Sequence, residues 1–129
     1  MRSLVLIVGV ASGGLLISGC GKSVRGVEGD VEARIKSGTL TATMDRGIDR
    51  VYQAVQKTIG DLGLTTIMAE QDGVVAEILL RDAQGEAINI RLQAISPSRT
   101  SLMMRVGMQG DANKSRVIFR GIQDRLRAT

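Results

Sequence analysis

Residues 86–106 read EAINIRLQAISPSRTSLMMRV. In the first half Ile88, Ile90, Leu92 and Ala94 are apolar, while Asn89, Arg91 and Gln93 between them are polar. After Ser96-Pro97-Ser98 the pattern resumes, with Leu102, Met104 and Val106 on one side and Met103 and Arg105 on the other. A period of two sustained over this length marks strands with one dry and one wet face. A proline between two serines supplies the turn, so the stretch predicts an antiparallel pair over 86–95 and 99–106.

Working outward, two further runs precede this pair, 64–70 and 74–81. Gln71-Asp72-Gly73 separates them and Asp82-Ala83-Gln84-Gly85 joins the second to residue 86, both with hairpin chemistry. Four strands in a meander follow from this. Upstream, Thr39-Leu40-Thr41-Ala42-Thr43-Met44 alternates threonine with apolar residues and predicts another half-buried strand. Between that strand and the meander, Ile48, Val51, Tyr52, Val55, Ile59 and Leu62 recur at steps of three and four. This is the apolar stripe of a helix, with Asp45 as its expected cap and Gly63-Leu64 as a Schellman stop. After Gly107 and Gly110, Asp111 stands where it would cap a second helix whose Ile118, Phe119, Ile122 and Leu126 share a face.

The order is β-α-β-β-β-β-α, an α+β domain over 39–129 whose antiparallel sheet carries two helices on one face and is wetted on the other. That order resembles the TATA-binding-protein-like topology, with the helix-grip domains of some envelope lipoproteins as near relatives. Such a likeness implies fold and not function.

The N-terminus concerns location. Met1-Arg2-Ser3 carries a positive charge, 4–17 has no charged residue, and Ser18-Gly19 supplies small side chains before Cys20, the only cysteine in the chain. These are the regions of a secretory signal, 1–19, too short and too glycine-rich to span a bilayer. Ile17-Ser18-Gly19-Cys20 resembles the lipobox of bacterial lipoproteins, which implies cleavage before Cys20 and acylation of its thiol and new amino group. Two or more acyl chains give stable anchoring, so the expected partner is a membrane, held through lipid on Cys20. Gly21, where an aspartate would favour retention, points to the periplasmic face of the outer membrane. Gly21-Lys22-Ser23 imitates the end of a phosphate-binding loop, but the pattern needs glycine at position 16, where Leu16 stands. Residues 20–38 mix glycine with charge and read as lipidated cysteine plus tether, with a short ordered piece at 31–35.

Composition narrows the functions. Loss of 1–19 removes one basic residue, Arg2, from a chain of 129 residues and formal net charge +4. The remaining excess is mild and scattered, without the stripe expected of a nucleic-acid binder, so no nucleic-acid partner is expected. Tyr52 and Phe119 are the only aromatics, which leaves no stacking platform.

The stretches GTLTATMD, DLGLT, DGVVAEILLRDAQGEAINIRL and above all MRVGMQGDANKSRVI are similar to those of a family of small bacterial lipoproteins classed as a domain of unknown function. The most specific part is Arg105-Val106-Gly107-x-x-Gly110-Asp111 with Ser115, and the resemblance covers about 38–126, leaving the tether out. The family has no assigned catalytic residues, so the resemblance implies fold and location alone.

Histidine is absent, which removes imidazole-based triads, shuttles and metal sites. The acids Asp61, Glu70, Asp72, Asp82 and Glu86 stand singly at turns and faces, so neither a metal nor a cofactor is expected. A glycine-bracketed loop entering a helix can bind anions, but the Asp111 carboxylate would occupy those amides itself. Met103, Met104 and Met108 are close in sequence and invite a copper(I) reading, yet alternation sends Met103 and Met104 to opposite faces, as gap-filling predicts. Arg81, Arg91 and Arg105 are the candidate binding residues. Alternation places them on the open face with Glu77, Asn89 and Gln93, either as a donor-rich patch for carboxylate or phosphate or as cross-strand ion pairs. The expected function is a non-enzymatic, lipid-anchored interaction or structural module of the envelope, with an envelope protein or an anionic ligand as partner; the alternative is a small-ligand or anion binder on the open sheet face.

Overall fold

The computed structural model describes residues 32–128. The expected signal segment, Cys20 and the tether as far as residue 31 lie outside the described residues. Eight elements follow in order: β1 Glu32–Lys36, β2 Thr39–Met44, α1 Ile48–Leu62, β3 Thr65–Gln71, β4 Val75–Arg81, β5 Ala87–Ser96, β6 Arg99–Val106 and α2 Ala112–Arg127. From β2 onward this is the expected β-α-β-β-β-β-α order. The addition is β1, which occupies the last part of the segment read as tether. It is the short ordered piece expected at 31–35, whose charged residues at alternate positions concealed only that it is a strand of the sheet. Ala33 and Ile35 face inward and pack on the core, while Arg34 and Lys36 are exposed.

One antiparallel sheet holds all six strands in the order β1-β2-β6-β5-β4-β3. The meander therefore folds back to place β6 beside β2. Helix α1 makes this possible, because it must carry the chain from β2 to β3, four strand spacings or roughly 19 Å away. Its 15 residues span about 22 Å. Leu40, Met44, Ile78, Leu80, Ile88, Ile90, Leu92, Leu102 and Met104 are fully buried on the dry face, packed under Val51, Val55 and Ile122 of the helices. Alternation in 86–106 thus reads the layer correctly, Met104 being buried and Met103 49% exposed.

Helix α1 ends on a Schellman motif as expected, with Gly63 at φ 68° and the Leu64 amide donating to the Ile59 carbonyl at 3.0 Å. Its start differs. Asp45 does not cap it; the cap is Gly47, which makes no side-chain bond, and Asp45 pairs with Arg99 at 3.0 Å. The reason is packing: a Cβ on Gly47 would lie 2.7 Å from the Pro97 carbonyl oxygen, and Thr100 Oγ1 donates to the Arg46 carbonyl at 2.8 Å. The β5–β6 turn presses on the helix start, so the chain needs a residue without a side chain there. Leu62, expected on the buried stripe, is exposed, and Thr58 is buried instead, donating to the Ala54 carbonyl beneath a close approach of Gly121.

A close backbone contact joins the β1–β2 turn to the β6–α2 loop. Gly110 has φ 82°, and a Cβ there would lie 2.5 Å from the Cα and carbonyl oxygen of Gly38. Both the left-handed backbone and the crowding exclude a side chain. Gly110→Ala is expected to destabilise the domain by about 2 kcal/mol or more, read as a lower urea midpoint with an unchanged slope; a change within a few tenths of a kcal/mol would contradict this packing.

Candidate functional site

Register places Arg81, Arg91 and Arg105 on the open face, as alternation requires. Arg105 stands opposite Asn89, Arg91 opposite Met103 and Glu77, and Arg81 opposite Ala87 at the end of the sheet. They do not act as one set. Arg91 is in an ion pair with Glu77. Arg81 Nη1 donates to the Gly85 carbonyl at 2.9 Å and closes its own turn. Arg105 donates from Nη1 to the Ser37 carbonyl at 2.8 Å and Thr39 Oγ1 at 2.9 Å, and from Nε and Nη2 to the Met108 carbonyl at 3.2 and 2.6 Å. Each guanidinium is directed to acceptors of the chain itself, and Arg105 is the clasp between the two loops that meet at Gly38 and Gly110.

The same end of the sheet carries a charge cluster that single-residue reading missed. Lys114 Nζ on α2 donates to Asp82 Oδ2 at 2.8 Å and Glu86 Oε1 at 3.0 Å. The other Asp82 oxygen accepts from the amides of Gln84 and Glu86 at 2.9 and 2.8 Å, and its side chain is only 9% exposed. Asp111 caps α2 as expected, accepting from the Lys114 amide at 3.0 Å. Sequence offered turn duty for Asp82 and cap duty for Asp111, but nothing in it tied Lys114 to a turn 32 residues earlier. The Lys114 ammonium, helped by the turn amides, holds the Asp82 carboxyl below the usual carboxylate range, and the two carboxylates hold Lys114 above the usual lysine range.

These contacts explain the glycine-rich stretch 105–111. A Cβ on Gly107 would lie 2.4 Å from Glu86 Oε2, as one on Gly110 would meet Gly38. The glycines let two loops and a helix start converge. Beside them lies a depression of about 540 Å³ lined by Glu86, Met108, Gln109, Asp111 and Asn113. Ser115 Oγ is buried with no hydrogen-bond partner among the described residues. No group of three or more potential metal-ligating residues occurs among the described residues.

The open face has two shallower depressions. One, of about 280 Å³, is lined by Arg34, Thr41, Thr43, Ser101 and Met103; the other, of about 210 Å³, by Met68, Glu77, Asn89 and Arg91.

The family model described as "Protein of unknown function (DUF3568)" matches residues 3–125. The chain belongs to this family. The match begins well before residue 38, so the segment read as tether falls within it. No curated protein matches the chain. As a DUF3568 member the protein has an unknown biochemical role, and the stretch 105–111 that carries the resemblance serves, in the structure, to join loops.

Two outcomes follow. Asp82 has a folded-state value below its ordinary 3.8, so its contribution to stability is complete above that value and disappears as pH falls through the folded value. Asp82→Asn should therefore flatten the acid limb of a stability–pH curve below about pH 4, while leaving Lys114 paired through Glu86; an unchanged limb would sink the assignment. Arg105→Gln should destabilise by about 1.5–3 kcal/mol and speed amide exchange in 107–110 before that of β5.

Proposed function

We propose that this DUF3568 protein is a lipid-anchored envelope protein, acylated on Cys20, that works without catalysis as an interaction or structural module. The observation that carries the interaction reading is the open face of the sheet. Thr41, Asn89, Arg91 and Gln93 are exposed on it, and two large apolar side chains join them, Met103 at 49% and Met68 at 39% exposure. A sheet with one face under helices and the other carrying exposed methionines among charges has the composition of a contact surface, where methionine and arginine are enriched. The polar groups with the side chains for chemistry, Asp82, Glu86, Lys114, Asp111 and the three arginines, are engaged in turns, caps and ion pairs, which supports a role without catalysis.

The anchoring half rests on Ile17-Ser18-Gly19-Cys20 behind an uncharged run. With the outer membrane as its site, the domain would sit close to the bilayer, since the chain between Cys20 and β1 reaches at most about 40 Å. Cys20→Ala should abolish lipid labelling and leave an unprocessed precursor. Mass spectrometry of the mature protein checks this directly: an N-terminus other than acylated Cys20 would remove the anchor from the reading, and membrane fractionation decides between inner and outer membrane.

A further inference from the structure

The open face has a polarity that the strand register makes explicit. One cross-strand row runs Arg34, Thr41, Met103, Arg91, Glu77, Glu70 from the β1 edge to the β3 edge. Arg91 and Glu77 neutralise each other in the middle. What remains is a net positive charge at the β1 edge, where Arg34 and Lys36 share the parity of one acid, Glu32 at the end of the strand, and a negative charge at the β3 edge. Glu70 stands opposite Glu77 in the ladder, an arrangement of like charges that is unfavourable on its own. Among the described residues no cation forms an ion pair with Glu70 and no anion forms one with Arg34.

We propose that the open face binds a second copy of this chain, face to face, about a twofold axis parallel to the strands. That operation reverses the row, so Arg34 of each copy meets Glu70 of the other, and Met103 lies against Arg91 near the axis. The alternative in-plane axis, across the strands, keeps each edge on itself and sets Arg34 on Arg34 and Glu70 on Glu70. Charge therefore selects the first axis.

A second consideration, which rests on the anchoring reading above, selects the same axis. Residue 32 begins β1 at the end of the sheet that carries Thr43, Ser101, Gln93 and Val75. Rotation about an axis along the strands leaves that end where it is, so both chains run from the same end of the dimer toward one bilayer. Rotation about the other axis sends the two tethers to opposite ends. Six strand widths by about seven residues of strand give a face of roughly 650 Å² per copy, or about 1,300 Å² in all, near the lower end of stable interfaces. Confinement of both copies to one membrane raises their effective concentration and suits a contact of that size.

The test uses the full-length protein in the membranes of cells that process lipoproteins, with a short bis-maleimide as cross-linker. Met103→Cys, close to the axis, should yield a covalent dimer, while Val117→Cys on the helix side should not. In the Met103→Cys background, Arg34→Glu or Glu70→Arg should each cut the dimer yield about tenfold or more, and the two together should restore it. Monomer from Met103→Cys, as when residues 21–31 or another protein cover the face, would overturn the proposal. So would equal cross-linking through Val117→Cys, or charge reversals without effect. The wild-type chain is the separate check on the anchor: an acylated Cys20 has no thiol, so cross-linking of the wild type would count against lipidation. The dimer would then be judged on Met103→Cys in a Cys20→Ala background, by the same yields.

Discussion

Everything in this fold depends on β2 pairing with β6. Thr39 and Arg105 lie opposite each other in that ladder and are 66 residues apart. Each hairpin of the meander closes locally, but none of them buries the helices until β6 returns to β2. Such a pairing is slow to find, because loop closure precedes the contacts that reward it. Arg105 reinforces it at the point of closure, linking Thr39, the Ser37 carbonyl and the Met108 carbonyl through one planar group. The fork of a guanidinium suits this task, since its donors are fixed relative to one another.

Around that clasp the molecule concentrates its unusual residues. Gly38, Gly107 and Gly110 have left-handed backbones, Glu86 fills the space that Gly107 leaves, and Lys114 reaches from the first turn of α2 to the β4–β5 turn. The result is one consolidated end where three connections meet. The stretch that looks most like a functional motif is thereby accounted for by backbone crowding, with Arg105 holding it from one end of the open face.

Much of this was legible in the residues. Alternation over 86–94 and 99–106 gave both strands and the side their residues face, because a one-residue slip would turn every core side chain to water, while the irregularity at 94–96, where Ile95 is exposed, was not marked by it. The hairpin signals at Asp72-Gly73 and 82–85 were equally direct, since Asp72 and Asp82 accept bonds from the amides of their own turns. What failed did so for tertiary reasons. Asp45 was displaced as a cap by the pressure of Pro97 on Gly47, and Leu62 lost its core position at the last residue of the helix, where the chain turns away through Gly63. At 31–35 an ordered piece was legible, but its pairing into the sheet was not, because an edge strand keeps charges at every second position and so resembles a linker. At the site, the placement of the three arginines on one face was readable from their parity. Their partners were not, because Ser37, Met108 and Gly85 contribute carbonyls, and a carbonyl has no sequence signature.

The edge position of β1 has a mechanical meaning. It pairs only with β2, and its first residue, opposite Thr43, is the first that any pull transmitted from residue 31 would load. Release of β1 breaks one ladder, where release of a strand in the sheet interior would break two. The five residues of β1 could peel away, adding roughly 17 Å of chain, before force reached the turn at Ser37 that the Arg105 clasp holds. Under the anchoring proposed above, the core would stay folded while the link lengthened, and β1 would act as a slack coil at the point where tension arrives.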